Sequence, residues 1–219
     1  VEIDGKEFTD LPAVGEGGQL HTCMAEQGSA VAQRMCMPKQ TQTILNTMKK
    51  NGKGKDSEDN KDLRKLLEDQ LADIYYAEKK LTKAIPKMAK AAQDEDLVQG
   101  FETHAQETEG QVERCKQAFD MLGKPAKAKK CEAIEGLIAE AEELMKEYKG
   151  SIALDAALVD AAQKVEHYEI ATYGSLIAWA RQLGEEDLAD LLEETLNEEK
   201  GCNDKLTELA ESGLNAEAA

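Results

Sequence analysis

The stretch Gln163-Lys164-Val165-Glu166-His167-Tyr168-Glu169-Ile170 decides how this chain is read. It sits inside a helix-length segment whose apolar stripe runs Leu158, Ala162, Val165, Thr172, Leu176, Ala180 and Leu183, the spacing of one helix face. Glu169 falls on that stripe, Glu166 flanks it, and His167 lies on the opposite side. A carboxylate at a core position needs a compensating partner, because an isolated buried charge is costly. The spacing supplies one. Glu198 follows Glu169 by 29 residues and Glu107 follows Glu78 by the same 29, each pair straddling a short turn. If each half is an antiparallel helical hairpin, its two glutamates stand at one height. Packing the hairpins together gives an all-α four-helix bundle with Glu78, Glu107, Glu169 and Glu198 in one buried layer and His104 and Glu166 one turn away. Such a layer can hold two metal ions.

The flanking segments agree with this reading. Leu63, Leu67, Ile74, Leu81, Ile85 and Met88 repeat on one helical face that Glu78 shares. Asp94 is the expected N-cap of the next helix, whose stripe of Leu97, Phe101, Cys115, Phe119 and Leu122 also carries His104, Thr108 and Gln111, with Glu107 at its edge. Gly123 and Pro125 stop it. Cys131 to Tyr148 reads as an amphipathic helix in the crossover between hairpins. Gly150 and Ser151 begin the long helix that ends at Gly184. The last helix uses Leu188, Leu191, Leu192, Thr195, Cys202, Leu206 and Leu209, with Glu198 and Glu199 on either shoulder of the stripe, so the two compete for the inward role. Laying Glu78 on Glu169 matches His104 with Thr195 and Tyr75 with Glu166, a pseudo-symmetric repeat with diverged outer positions.

Clustered buried carboxylates cannot all ionise without compensation, and cations are the natural remedy. Two divalent ions bridged by carboxylates and capped by an imidazole suit iron or manganese; few imidazoles and no thiolate argue against zinc or copper. Tyr75, one turn before Glu78, is the candidate for hydrogen-bonding a ligand or serving a redox step, beside its commoner role as a half-buried core aromatic. Cys115 and Cys202 lie on the buried stripes near this layer, where small apolar packing is the ordinary role.

Composition sets the outer bounds. The 219 residues include 44 acidic and 27 basic side chains, a net charge of -17 that repels phosphate backbones and argues against nucleic-acid binding. No apolar run reaches the ~20 residues a membrane-spanning helix needs. Five cysteines without Cys-x-x-Cys spacing indicate neither a disulfide framework nor a structural zinc site, and a reducing cytoplasm fits them best. The start at Val1, with no initiator Met and no charged-then-apolar leader, points to a processed chain or a fragment.

Residues 1–50 read as an N-terminal extension. Val1 to Phe8 alternates weakly around Asp4-Gly5, Gly15, Gly17 and Gly18 open a loop, and short helices are expected over Leu20 to Met37 and around Ile44, Leu45 and Met48. Cys23, Met24, Met35, Cys36 and Met37 could ligate a soft ion such as Cu(I), though interface packing is the commoner use of such residues. Residues 51–60, Asn-Gly-Lys-Gly-Lys-Asp-Ser-Glu-Asp-Asn, contain no apolar side chain and read as a linker. The bundle then occupies 61–211 and a fraying tail 212–219.

Several long motifs in order carry a resemblance: Pro86-Lys87-Met88; His-Ala-Gln-Glu-Thr-Glu-Gly-Gln-Val-Glu-Arg from His104; Lys-Cys-Glu-Ala-Ile-Glu-Gly-Leu from Lys130; Gln-Lys-Val-Glu-His-Tyr-Glu-Ile from Gln163; and Glu-Glu-Thr-Leu-Asn-Glu-Glu-Lys from Glu193. Together they resemble the YciE/YciF ferritin-like family from about Lys61 to Glu211. The resemblance implies a ferritin-like four-helix bundle, usually a dimer, associated with bacterial stress responses and a dinuclear metal site. Carried over, the family's His-x-x-Glu falls on His104 and Glu107, its Glu-His-Tyr-Glu on Glu166 to Glu169, and its Glu-Glu-Lys on Glu198 to Lys200. The chain departs from the wider ferritin pattern of Glu-x-x-His on two helices, since Gly110 and Gly201 stand where the histidines would.

The sequence thus expects a dinuclear Fe or Mn protein of oxidative-stress protection that consumes oxygen or peroxide, with Fe(II) oxidation as one form. The alternative is a homodimer or larger homo-oligomer, structural or metal-binding without catalysis, assembled through its N-terminal extension.

Overall fold

The computed structural model describes residues 61–219. The readings made for residues 1–60, including the linker and the sulfur-rich group, lie outside the described residues. Five helices follow: α1 (Leu63–Ala91), α2 (Glu95–Met121), α3 (Glu132–Glu147), α4 (Leu154–Leu183) and α5 (Glu186–Leu209). No strand occurs among the described residues. No helix among them is long and apolar enough to cross a membrane.

Each long helix buries one row of side chains at steps of three or four, broken in α5 only where Cys202 is half-buried. In α1 the row is Leu67, Leu71, Ile74, Glu78, Leu81, Ile85 and Met88; in α2 it is Leu97, Phe101, His104, Thr108, Gln111, Cys115 and Ala118. The row of α4 runs Leu158, Ala162, Val165, Glu169, Tyr173, Leu176 and Ala180, and that of α5 Leu188, Leu192, Thr195, Glu199 and Leu206. This is the seam of near-parallel helices packing knobs into holes. The leucines lie at 0 to 4% exposure, and each fully buried one stabilises the fold by about 2 kcal/mol relative to exposure. Midway along, the apolar rows are interrupted by polar groups.

The ends of the helices are set by local chemistry. The Asp62 and Asp94 carboxylates accept from the Lys65 and Leu97 amides at 2.9 Å, capping α1 and α2 as the sequence leads one to expect for Asp94. Cys131 and Tyr148, the expected limits of the crossover helix, are its caps. The α4–α5 turn requires Gly184, whose φ of 78° is the left-handed conformation that terminates many helices. The long helix starts at Leu154, slightly later than Gly150-Ser151 suggested.

Contacts between the ends give the directions. The start of α1 meets the start of α5 through Arg64 and Glu185 at 2.6 Å. The end of α1 meets the start of α4, where both Asp155 carboxylate oxygens accept backbone amides, from Gln93 and Asp94, at 2.9 Å each. Hence α1 and α4 are antiparallel, while α2 and α4 run the same way. The chain must return along the bundle between them, and α3 does this on the outside of α1 and α4, tied by Lys87–Glu142 at 2.7 Å and Lys164–Glu140 at 2.6 Å. The expected fraying after Glu211 does not occur. Residues Ala210–Leu214 form a π-helical turn and Asn215–Glu217 a last helical one, α6, because Leu214 has apolar surface to bury and is 6% exposed.

Candidate metal centre

The polar interruptions of the four rows meet. One ligand atom from each of His104, Glu166, Glu169 and Glu199 lies within 4.8 Å of every other, and all four residues are buried. Opposite donors around one ion at about 2.1 Å would stand about 4.2 Å apart, so modest contraction closes the set on a cation. Glu78 is fully buried beside them, its Oε1 accepting from the Tyr173 hydroxyl at 2.5 Å.

What these groups lack is partners. Glu78 Oε2, both ring nitrogens of His104, Gln111 Oε1, Glu166 Oε2, both carboxylate oxygens of Glu169 and Glu199 Oε2 are buried without a hydrogen bond. Native interiors rarely leave such atoms unpaired, since each costs about 1–3 kcal/mol, more when charged. Here they converge on one layer. Inside it, His104 Nε2 stands 3.2 Å from Glu166 Oε1 and 3.9 Å from Glu199 Oε2.

The electrostatics follow from crowding in a dry interior. Burial pushes the Glu78 carboxyl up to about 7 despite the Tyr173 hydroxyl and the nearby imidazole. Burial, then the charges of Glu199 and Glu78, hold Glu169 well above the usual carboxylate range; burial and Glu166 do the same to Glu199. For His104 burial acts downward but is outweighed by Cys202, Glu107 and Glu166, which raise it well above an ordinary imidazole. A divalent cation would reverse the carboxylate shifts, because its charge offsets both the cost of burying the ionised form and the mutual repulsion.

Of the residues expected in the site, Glu78, His104, Glu166 and Glu169 are brought together. Glu107 lies at the rim, its side chain a third exposed and its Oε2 3.6 Å from His104 Nδ1. Its carboxyl is lowered, chiefly by that imidazole. Glu198 does not face the layer. It turns outward to Arg114, which donates to both its oxygens and to Thr195 Oγ1. Glu199 takes the inward position instead, with Gln111 donating to its Oε1. The reason is angular: equal spacing about the turn sets height on the bundle, but one residue rotates a side chain by about 100°. Tyr75 packs edge-on against Phe119, ring centroids 5.9 Å apart. Tyr173 is the tyrosine that reaches Glu78, and it also meets Cys115 Sγ at 3.5 Å. Reading Thr172 rather than Tyr173 as the inward residue missed it, although Tyr173 stands one turn past Glu169 on the same row. His167 is exposed, as expected.

Comparison with known proteins places this architecture. Residues 62–219 match the family described as domain of unknown function DUF892. Protein YciF of Escherichia coli (strain K12) is 49% identical over 149 residues, covering 68% of this chain and 90% of that protein. The crystal structure of the E. coli stress protein YciF superposes with a TM-score of 0.68 at 46% identity, covering 71% of this chain and 99% of that one. YcfI from Rhodopseudomonas palustris, proposed to be a structural protein, gives 0.66 at 50% identity over 69% of this chain and 96% of its own. This chain, an all-helical bundle, belongs to the DUF892 family and is similar to YciF along nearly the whole length of that protein.

Proposed function

We propose that this chain is a ferritin-like, carboxylate-bridged metal protein that holds two Fe or Mn ions and protects against oxidative stress. The observation that carries the reading is the layer of buried polar atoms without partners. Glu78, Glu166, Glu169 and Glu199 would carry four negative charges when ionised, which two divalent ions neutralise. Oxygen-rich donors with one imidazole suit Fe or Mn. One long crossover, with α2 and α4 parallel, is the connectivity of ferritin-like bundles. E. coli YciF is a stress protein, and the likeness to it supports the physiological half of the proposal.

Glu169, Glu199, Glu166 and His104 would hold the metal, with Glu78 alongside. Bound Fe or Mn would supply one-electron redox chemistry suited to consuming oxygen or peroxide, with Fe(II) oxidation as one form. The remaining residues prepare the site. The Tyr173 hydroxyl occupies Glu78 Oε1 and leaves Oε2 turned to the layer. Gln111 fixes Glu199 in the same manner, leaving its Oε2 available. Glu107, adjacent to His104 Nδ1 and partly solvated, is placed to take a proton from the imidazole as metal enters.

The test is metal content by plasma mass spectrometry on protein expressed with Fe and Mn supplied, comparing wild type with the Glu78→Ala, Glu169→Ala double variant. About two ions per chain, lost in the variant, is the expected result for a centre of this kind. No metal in either protein would end the reading. A second reading, a non-catalytic homo-oligomeric bundle with residues 1–50 mediating assembly, draws on the structural role proposed for YcfI. It is favoured if metal-loaded protein turns over neither oxygen nor peroxide, and deletion of residues 1–60 then reads out the assembly role as a change of mass in solution.

A further inference from the structure

Residue spacing alone does not put a thiol among the ligands, yet Cys202 reaches them. Its Sγ, one nitrogen of His104 and one carboxylate oxygen of Glu166 lie within 4.8 Å of one another. Cys202 is half-buried on α5, while His104 and Glu166 are 4% and 1% exposed. Both ring nitrogens of His104 and the Glu166 Oε2 lack hydrogen bonds, so the thiol faces buried donors with capacity to spare. Glu169 and Glu199 belong to the neighbouring set of four and are not needed for this one.

We infer that His104, Glu166 and Cys202 form a thiolate-edged subsite for a borderline divalent cation, with Zn2+ the ion it suits. One sulfur, one imidazole nitrogen and one carboxylate oxygen are each ordinary zinc ligands, and three protein ligands leave the fourth tetrahedral position for water. Binding is a ligand exchange without redox change: the thiol loses its proton to solvent as the sulfur–metal bond forms. Left unmetallated, the thiol stays protonated, because burial, partly offset by His104, pushes it up to about 11. The inference rests on the metal-binding reading of the same layer and sharpens its selectivity. His104 and Glu166 belong to both sets, so an ion at the thiolate edge competes with Fe or Mn for them.

Co2+ is the probe, since thiolate ligation to it gives an intense near-ultraviolet charge-transfer band that oxygen and nitrogen ligands do not. The full chain is titrated with Co2+ as wild type, Cys202→Ser and Glu169→Gln, with far-ultraviolet circular dichroism confirming that each variant is folded. The expected result is a charge-transfer band in wild type and in Glu169→Gln. Cys202→Ser should lose the band, because Co2+ that it still takes up at the carboxylate centre has no sulfur ligand. If wild type binds Co2+ without the band, or the band survives in Cys202→Ser, the thiolate subsite is overturned while the carboxylate centre stands. Loss of the band in Glu169→Gln overturns a subsite independent of the larger set. Failure of wild type to bind Co2+, Fe2+ or Mn2+ at all overturns both readings.

Discussion

The two hairpins of this bundle are built alike and equipped differently. Laying α1–α2 on α4–α5 with Glu78 on Glu169 puts Tyr75 on Glu166, His104 on Thr195, Thr108 on Glu199 and Gln111 on Cys202. Among the residues that enter the layer only the Glu78/Glu169 position keeps its ligand type in both halves, since Glu107 and Glu198, which also correspond, lie at the rim and turned to Arg114, respectively. Elsewhere a donor in one hairpin faces a neutral hydroxyl, phenol or amide in the other. The first hairpin contributes one carboxylate and the imidazole; the second contributes three carboxylates and the thiol. A backbone near-symmetry therefore supports a chemically lopsided site, and the negative charge to be compensated resides mostly on α4 and α5.

The comparison breaks most visibly if the second hairpin is disarmed. Glu169→Gln with Glu199→Gln should abolish tight metal binding and with it the metal-dependent stability. For wild type carrying free metal at 100 times its dissociation constant, mass action contributes about 2.7 kcal/mol, so chelation should lower Tm by roughly 5–10 °C in a calorimetric scan. The double variant should melt at one temperature with or without chelator. An unchanged chelation shift there would move the centre off α4 and α5.

Restoring the symmetry is the next test. Thr108→Glu places a carboxylate in the fully buried first-hairpin position that corresponds to Glu199. In metal-free protein it should cost on the order of 3 kcal/mol, from a further buried acid in a filled core, and saturating metal should recover part of the loss. Denaturant midpoints with and without metal measure both.

Metal-free protein should also report the charge imbalance through pH. Glu78, held at about 7 by burial, keeps a proton in the folded state that the unfolded chain has lost above the ordinary carboxylate range. The folded state binds more protons in that window, so stability is present below it and is lost as pH rises through about 7, at up to about 1.4 kcal/mol per unit per proton. Raised His104 acts in the same direction, in a window starting at the ordinary imidazole value. Urea unfolding in chelator between pH 5 and 8 should show this decline, and bound metal should flatten or reverse it.

The smallest effect concerns neighbouring glutamates. Glu198→Gln should leave metal content unchanged and cost about 1 kcal/mol through its Arg114 contacts, in contrast to Glu199→Gln. Equal metal loss from both would show that the outward and inward assignments are too sharply drawn.

These comparisons also show what the sequence made legible. The all-helical bundle, the helix limits near Asp94, Gly123 and Gly184, and the inward placement of Glu78, His104 and Glu169 could be read from apolar periodicity and the turns, whereas Glu166 read only as flanking the stripe. Equal spacing about a turn is a measure of height, so it found the level of the layer. Azimuth is a finer quantity. The three-and-four row through Leu188, Leu192 and Thr195 leads to Glu199, whereas the 29-residue rule leads to Glu198; the row was the better guide. Tyr173 follows from the same row logic on α4. Cys202 could not have been assigned from periodicity alone, because an inward small residue reads as packing until its neighbours are known. The partnerless state of the His104 nitrogens is likewise a three-dimensional fact.

Asp155 looks like a remote capping residue, but it acts as the alignment gauge of the centre. It binds the amides of Gln93 and Asp94 where α1 ends and α4 begins. Glu169 is fourteen residues beyond Asp155, and Glu78 is fifteen residues before Gln93, counted along antiparallel helices. At about 1.5 Å per residue Glu169 stands roughly 21 Å from Asp155, and Glu78 roughly 20 Å from the end of α1 at Ala91, two residues short of the clamped Gln93. The tolerance of the site is thus set a bundle's half-length away, by a side chain that touches none of its donors.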